Sequence, residues 1–354
     1  VSSLFQETLG RISPPDTLWS VRAAAHQQHL TKPPHSLGRL EEIANRVVAI
    51  QQTLTPHIDP GRIVVFAADH GVTEEGISPY PREVTAQMVR NFISGGAAIN
   101  ALCRAANLSL HVVDVGVAGE VPRAAQLKVL KIRAGTRNFL REPAMTGEEA
   151  VQAIEAGITV ALEAADHGIR MAGFGEMGIG NSTSAAALTC ALTGLAPDQA
   201  VGRGSGAPDA MFQRKREVVE GALKLHGARL HRPLDALACV GGLEVAAMAG
   251  FCLGAASRKL VVVVDGFIAS AAALLAVRLK EECAGYLFPS HLSVEPGHQA
   301  LLTALKHQPL LDLRMRLGEG TGAALAIGLI RGAVATFRDM ATFESAGVST
   351  TRNA

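Results

Sequence analysis

Arg62-Ile-Val-Val-Phe-Ala-Ala-Asp-His-Gly71 is the stretch that decides the fold. After Arg62 it is apolar, rich in β-branched and aromatic residues, and shows no alternation of polar and apolar side chains. A strand with one wet face alternates, whereas a continuous apolar run belongs to a strand covered on both faces. The run ends in a polar turn, Asp69-His70-Gly71. Similar runs lie at 110–115, 127–132, 169–174 and 260–264, and several stop at Asp114-Val-Gly116, Gly175-Glu176 and Asp265-Gly266. Between them lie Ala-rich segments of helix length, at 83–92, 95–106, 147–166, 182–194, 209–225, 241–256 and 267–281. Buried strands alternating with helices predict an α/β fold with a mostly parallel sheet and helices on both faces.

The two ends of the chain read differently. Residues 1–58 predict two helices around the loop Lys32-Pro-Pro-His-Ser-Leu-Gly38, and 323–341 predict one long apolar helix. Neither end offers a strand. The expectation is a sheet domain over 59–322 and a small helical domain made of 1–58 with 323–354. The polar, small-residue tail 345–354 reads as a frayed end.

Composition excludes several classes of partner. The 354 residues carry 33 Lys+Arg against 32 Asp+Glu, a net charge of +1, so no nucleic-acid backbone or anionic membrane is called for. The most apolar stretch, 259–277, contains Lys259 and Asp265 and breaks at Gly266, which argues against a membrane span. Cys103, Cys190, Cys239, Cys252 and Cys283 are odd in number, scattered, and without a Cys-x-x-Cys pair. They read as reduced buried thiols and no metal site; a soluble cytoplasmic protein is expected. The 36 glycines cluster in short turns, as loops that approach a ligand closely do.

Ligands of open parallel sheets bind outside the carboxyl ends of the strands. That rule selects four turns. Gly173-Phe-Gly-Glu-Met-Gly-Ile-Gly-Asn-Ser-Thr183 joins a strand to an Ala-rich helix, whose free N–H groups suit a phosphate. A tight strand–helix turn capped by Asn181 or Ser182 uses the same residues. Glu176 is out of place among phosphate-seeking amides unless it has another task. Glu319, in Leu317-Gly-Glu-Gly-Thr-Gly322, precedes the last helix. It serves either as a dipole partner of that helix or as a carboxylate held at a ligand, ready to accept a proton. Gly202-Arg-Gly-Ser-Gly206 is followed by Arg214-Lys-Arg216, which reads as a solvated helix face or as a cation for a phosphate. Phe288-Pro-Ser-His291 is the fourth turn. Asp69 and His70 fix their own turn or contribute to a site. The spacing of Asp69, His70 and His291 supports no metal centre.

These segments, together with Lys32-Pro-Pro-His-Ser-Leu-Gly-Arg-Leu40, Val113-Asp-Val-Gly116, Val240-Gly-Gly242 and Arg316-Leu-Gly-Glu-Gly-Thr-Gly-Ala-Ala-Leu325, occur in an order that resembles the nicotinate-nucleotide–dimethylbenzimidazole phosphoribosyltransferase family. The resemblance runs from about residue 30 to 340. It implies transfer of phosphoribose from nicotinate mononucleotide to a benzimidazole-type base in cobalamin synthesis. It also implies a Rossmann-like sheet domain with a small helical domain, a homodimer, no cofactor and no metal. Carried over, Glu319 is the general base and Glu176 the second carboxylate of the site. Lys215 stands on the phosphate side, and Tyr80 and Gln87 line the base pocket. Gly178, Gly180, Asn181, Ser182, Gly202, Gly204, Ser290, His291, Gly318 and Gly320 complete the substrate-binding set. His35 occupies a position where some members carry glycine. A dinucleotide-dependent oxidoreductase is the competing reading, but Ala67-Ala-Asp-His-Gly-Val72 lacks the Gly-x-Gly-x-x-Gly it would need after the first strand. A non-catalytic nucleotide sensor would not need two carboxylates at ligand-facing turns.

Overall fold

The computed structural model describes residues 3–349. Six strands form one sheet: β1 (Gly61–Ala68), β2 (Ser109–Gly116), β3 (Leu127–Val129), β4 (Met171–Met177), β5 (Val261–Val264) and β6 (Leu287–Pro289). Their order is β3-β2-β1-β4-β5-β6, and every neighbouring pair is parallel. The chain therefore winds outward from β1 to β3, returns to the other side of β1, and winds outward again. The reversal falls between β1 and β4, whose carboxyl ends are packed together by Gly178 against Ala68 and His70. Phe66 of β1 stands beside Glu176 of β4 in register.

Both faces are covered, as the unbroken apolar strands require. Phe66 and Phe174 pack against Phe251 of the helix Leu243–Ser257, with ring centroids 5.8 and 5.9 Å apart. Gly173, one residue earlier and so on the opposite face, meets Ala323 and Ile327 of the helix Thr321–Asp339. Helix Leu243–Ser257 also crosses helix Gly147–Asp166 with backbones in contact. A Cβ on Gly157 would lie 1.8 Å from the Ala247 carbonyl oxygen, and one on Gly250 would lie 1.9 Å from that of Ile154. Only glycine fits either position.

Several boundaries differ from the sequence reading. The expected strand at 127–132 pairs over Leu127–Val129 alone, at the sheet edge. The one expected at 169–174 runs from Met171 to Met177 and so contains Glu176. β6 falls where the sequence shows only a turn, because three residues are too short to display a period. The helix expected at 241–256 begins at Leu243, after the break Gly241-Gly242, and a separate helix, Pro233–Val240, precedes it.

Among the described residues the amino end has three helices, Ser3–Arg11, Thr17–His29 and Arg39–Gln51, against the two that the sequence predicts. The latter two flank the 30–38 loop, in which His35 is exposed at φ 61, a left-handed conformation where glycine is unstrained. The chain ends meet: Leu30 forms an antiparallel bridge with Thr342, and the Thr31 N–H donates to the Ala341 carbonyl at 3.0 Å. Helix Thr321–Asp339 packs on helix Arg39–Gln51 as well as on the sheet, while helix Ser3–Arg11 sits on the Gly147–Asp166 and Leu243–Ser257 pair. Phe343–Ala346 is a single helical turn capped by Thr342; of the tail expected to fray, 350–354 lie outside the described residues. Among the described residues no helix is long and apolar enough to cross a membrane.

Candidate active site

A cavity of about 800 Å³ opens at the carboxyl ends of β4 and β5, walled by the turns after both strands and by the loops at 203–205, 291–295 and 315–319. Glu176, Asp265, His291, Glu295, Glu319 and Lys215 all line it. Each is at most 9% exposed, so their charges interact through little water.

Glu176 is the penultimate residue of β4 and points to the face of the sheet covered by helix Leu243–Ser257. The Asn181 side-chain amide, at the start of helix Asn181–Thr193, donates to its Oε2. Its Oε1 packs on Gly318, where a Cβ would come within 2.3 Å. Burial pushes its pKa up to about 8; the charges of Glu244 and Asp265 push the same way, the Asn181 hydrogen bond opposes them, and Glu319 adds a little. In the free protein Glu176 thus holds a proton at neutral pH.

Glu319 has φ 62 and lies between Gly318 at φ 86 and Gly320 at φ 84, three left-handed residues in succession. A non-glycine residue pays about 1–2 kcal/mol for that conformation, so the surroundings must impose it. Two contacts do. Asp265, after β5, takes the Gly320 N–H on Oδ2 at 3.0 Å and those of Gly322 and Ala323 on Oδ1 at 2.8 and 3.1 Å. Gly175 approaches from beneath, so closely that a Cβ there would lie 2.0 Å from the Gly320 nitrogen. The end of helix Thr321–Asp339 is therefore capped by Asp265. The amides of Gly320, Gly322 and Ala323 at that helix start are thus taken by Asp265, while Glu319 faces the cavity. Burial raises the Glu319 pKa; the Ile99 backbone N–H opposes that, and the Asp265 charge adds to it. Its Oε2 is buried without a hydrogen-bond partner.

The opposite charge collects at the 202–204 turn. Of Arg214-Lys215-Arg216, only Lys215 enters the cavity wall; Arg214 turns away to Glu75. The buried Lys215 ammonium donates to Ser182 Oγ at 3.1 Å and to the Gly202 carbonyl at 2.9 Å. Burial lowers its pKa and Glu295 raises it. Arg316 donates to the Gly204 carbonyl at 2.6 Å, joining this turn to the loop that carries Glu319.

The structure places the sequence candidates as follows. Glu176, Glu319, Gly178, Gly180, Asn181, Ser182, Gly204, Lys215, His291 and Gly318 form the cavity wall, and Tyr80 stands half-exposed at its rim. Gly202, Gly320 and Ser290 lie just behind it: the first accepts from Lys215, the second donates to Asp265, and Ser290 Oγ donates to the Asp265 carbonyl at 2.9 Å. Gln87 is not brought in. It is exposed on the side of helix Val84–Ser94 opposite Thr85, Ala86, Val89 and Phe92, and Val84 and Met88 reach the cavity instead. Asp69 and His70 fix structure: Asp69 Oδ2 accepts the Ala118 N–H at 2.7 Å, and His70 Nε2 sits 2.6 Å from Glu244 Oε1, both fully buried. Among the described residues no group of three His, Cys, Asp or Glu side chains could hold a metal ion. Sequence reasoning passed over Asp265 as a ligand-facing carboxylate and missed Glu295 altogether. The first carried the same signal as Glu176, a carboxylate at a strand's end; the second sits in an irregular loop and carried none.

A parallel sheet wound from β1 in both directions, with a lysine and glycine turns facing buried carboxyl groups across one cavity at the strand ends, is the frame of a Rossmann-like α/β enzyme. A family model described as phosphoribosyltransferase matches residues 12–348. The nicotinate-nucleotide–dimethylbenzimidazole phosphoribosyltransferase of Geobacter sulfurreducens is 49% identical over 347 residues, covering 98% of this chain and 99% of that protein. The protein of that name from Pseudomonas putida is 50% identical over 328 residues, 93% of each chain. The crystal structure of the Thermus thermophilus enzyme of that name superposes with a TM-score of 0.90 at 47% identity, covering 95% of this chain and all of that one. The chain belongs to the nicotinate-nucleotide–dimethylbenzimidazole phosphoribosyltransferase family.

Proposed function

We infer that this enzyme moves the 5-phosphoribosyl group of nicotinate mononucleotide to 5,6-dimethylbenzimidazole, giving α-ribazole 5′-phosphate and nicotinate in cobalamin synthesis. The observation that carries the mechanism is a single cavity with Lys215 and the 202–204 turn at one end and two buried carboxyl groups, Glu176 and Glu319, on its wall.

The chemistry asks for this division of tasks. The leaving group is a pyridinium that departs as a neutral ring, so no general acid is needed. The acceptor is a neutral benzimidazole: one nitrogen attacks the ribose C1′, and the N–H on the other becomes acidic as positive charge builds. Glu319 orients that N–H and takes its proton; a carboxylate whose pKa is raised by burial is a stronger base for the purpose. Glu176 faces the positive charge of the donor and of the oxocarbenium-like transition state, which favours its ionised form once the donor is bound. Lys215 and Ser182 hold the 5′-phosphate at the start of helix Asn181–Thr193. A single in-line displacement inverts C1′ from β to α.

Incubating the purified protein with both substrates and resolving nicotinate and α-ribazole phosphate by chromatography tests the reaction. Glu319→Gln should lower turnover by about 10²-fold or more with the fold intact; undiminished turnover would remove Glu319 from its role.

We also propose a homodimer and a cytoplasmic enzyme. The five cysteines, all buried and unpaired, support a reducing compartment, and sedimentation analysis tests the dimer. The division into a 59–322 sheet domain and a helical domain of 1–58 with 323–354 is proposed as well, supported by the Leu30–Thr342 bridge.

A further inference from the structure

Glu295 is a carboxylate at the end of the cavity where an anion is to bind, and neither the transfer reaction nor its general base requires it. Its Oε1 accepts the Gly204 N–H at 3.0 Å, one of the amides a phosphate would otherwise use. Its Oε2 is buried without a hydrogen-bond partner and lies so close to Gly202 that a Cβ there would come within 2.0 Å. The same Gly202 accepts from Lys215 at 2.9 Å. Glu295, the 202–204 turn and Lys215 thus form one packed unit.

We propose that Glu295 is a positioning residue for the donor's phosphate: it fixes the 202–204 turn through the Gly204 amide and stands as the counter-charge of Lys215. The inference rests on the phosphoribosyl-transfer reading above. An ammonium group has three N–H donors. Ser182 and Gly202 take two of those on Lys215, which leaves one for the substrate. That ammonium is held by the Ser182 hydroxyl from helix Asn181–Thr193 and by the Gly202 carbonyl, and the Glu295 carboxylate packs against the same Gly202. Arg203 and Arg316 share this end of the wall, and Glu176, Asp265 and Glu319 line the remainder. A buried lysine among cations tends to lose its proton. Glu295 acts against that tendency, and burial weakens Lys215 in its absence. The carboxylate costs some repulsion toward the phosphate, and in exchange the lysine stays charged and aimed.

The test is the pH dependence of the Michaelis constant for nicotinate mononucleotide, read by nicotinate release between pH 6 and pH 9. Wild-type transfer comes first; its absence would sink the reading of the reaction, not the role of Glu295. Glu295→Gln keeps an acceptor for the Gly204 amide and removes the charge. Its KM for the donor should stay within about twofold of wild type at pH 6 and exceed it by at least about fivefold at pH 9, with the KM for dimethylbenzimidazole unchanged. Glu295→Asp keeps the charge and should retain the wild-type pH dependence. A Glu295→Gln to wild-type ratio that is the same at every pH, or a rise confined to the base, overturns the proposal. Comparing variants at one pH cancels the phosphate's own ionisation. Should circular dichroism show Glu295→Gln misfolded, Lys215→Arg decides, since arginine stays charged throughout. Its donor KM should run parallel to that of wild type from pH 6 to pH 9, because Glu295 keeps the lysine charged as well, and a wild-type KM that climbs away from it toward pH 9 refutes the counter-charge role.

Discussion

Replacing Glu176 with glutamine should stabilise the free protein, and increasingly so as the pH rises. The folded protein holds the Glu176 proton up to about pH 8, against 4.5 for an ordinary glutamate. Between those values the folded state binds a proton that the unfolded state has released, so this group's contribution to stability falls with rising pH and levels off above the folded value. Raising the group from 4.5 to about 8 corresponds, at about 1.36 kcal/mol per pH unit, to a ceiling of about 5 kcal/mol. Relaxation and water entry on ionisation reduce this to about 2–3 kcal/mol. Unfolding entropy of about 2.1 cal/mol/K per residue makes that about 3–4 °C in melting temperature for a chain of this length. Glutamine is close to the protonated carboxyl in shape, and its carbonyl can still accept from Asn181. The two proteins should therefore melt together at pH 5 and separate by that amount at pH 9, in calorimetry without substrates. Asp265, Glu295 and the other buried groups titrate in both and largely cancel. A melting difference that is constant from pH 5 to 9 would mean that Glu176 does not keep its proton in the folded protein. The same variant should lose turnover, because the charge that destabilises the empty site is the one the cationic donor needs.

Binding of nicotinate mononucleotide near pH 7 should release protons as the donor's positive charge drives Glu176 to ionise; calorimetric binding enthalpies measured in buffers of different ionisation enthalpy would reveal it, and buffer-independent enthalpies would contradict it. Asp265→Ala should free the amides of Gly320, Gly322 and Ala323, cost about 2–4 kcal/mol in denaturant unfolding and collapse turnover together, since Glu319 is held through the same contacts. Gly250→Ala, whose new methyl carbon would lie 1.9 Å from a carbonyl oxygen, should cost at least about 3 kcal/mol or prevent folding, whereas the solvent-open Gly332→Ala should be neutral or mildly stabilising.

Much of the architecture was legible because burial on both faces of a parallel sheet writes itself into each strand as an unbroken apolar run. β1, β2, β4 and β5 carry such runs, and the polar ends of β4 and β5 mark the cavity, whereas those of β1 and β2 do not. β6 did not announce itself, since three residues hold no period and its pairing depends on β5 beside it. Glu176 and Glu319 were visible as carboxylates among glycines, and Lys215 only through family resemblance, because a basic triplet on a helix does not disclose which of its three side chains turns inward. Gln87 and Met88 differ by one helical position, and that places the first in solvent and the second at the cavity.

By itself, then, the sequence determined the alternation of buried strand and helix, the turns at the strand ends, and the need for glycine where the backbone takes left-handed angles, as at Gly318 and Gly320. These are local consequences of side-chain volume, hydrophobicity and φ freedom. Folding in three dimensions settles that Asp265 takes the amides at the start of the last helix, that Glu244 and Asp265 act on the proton of Glu176, and that Glu295 and Lys215 pack around Gly202. Those relations join residues far apart in the chain, and their strength depends on distance and exclusion of water, neither of which is written in the order of the residues.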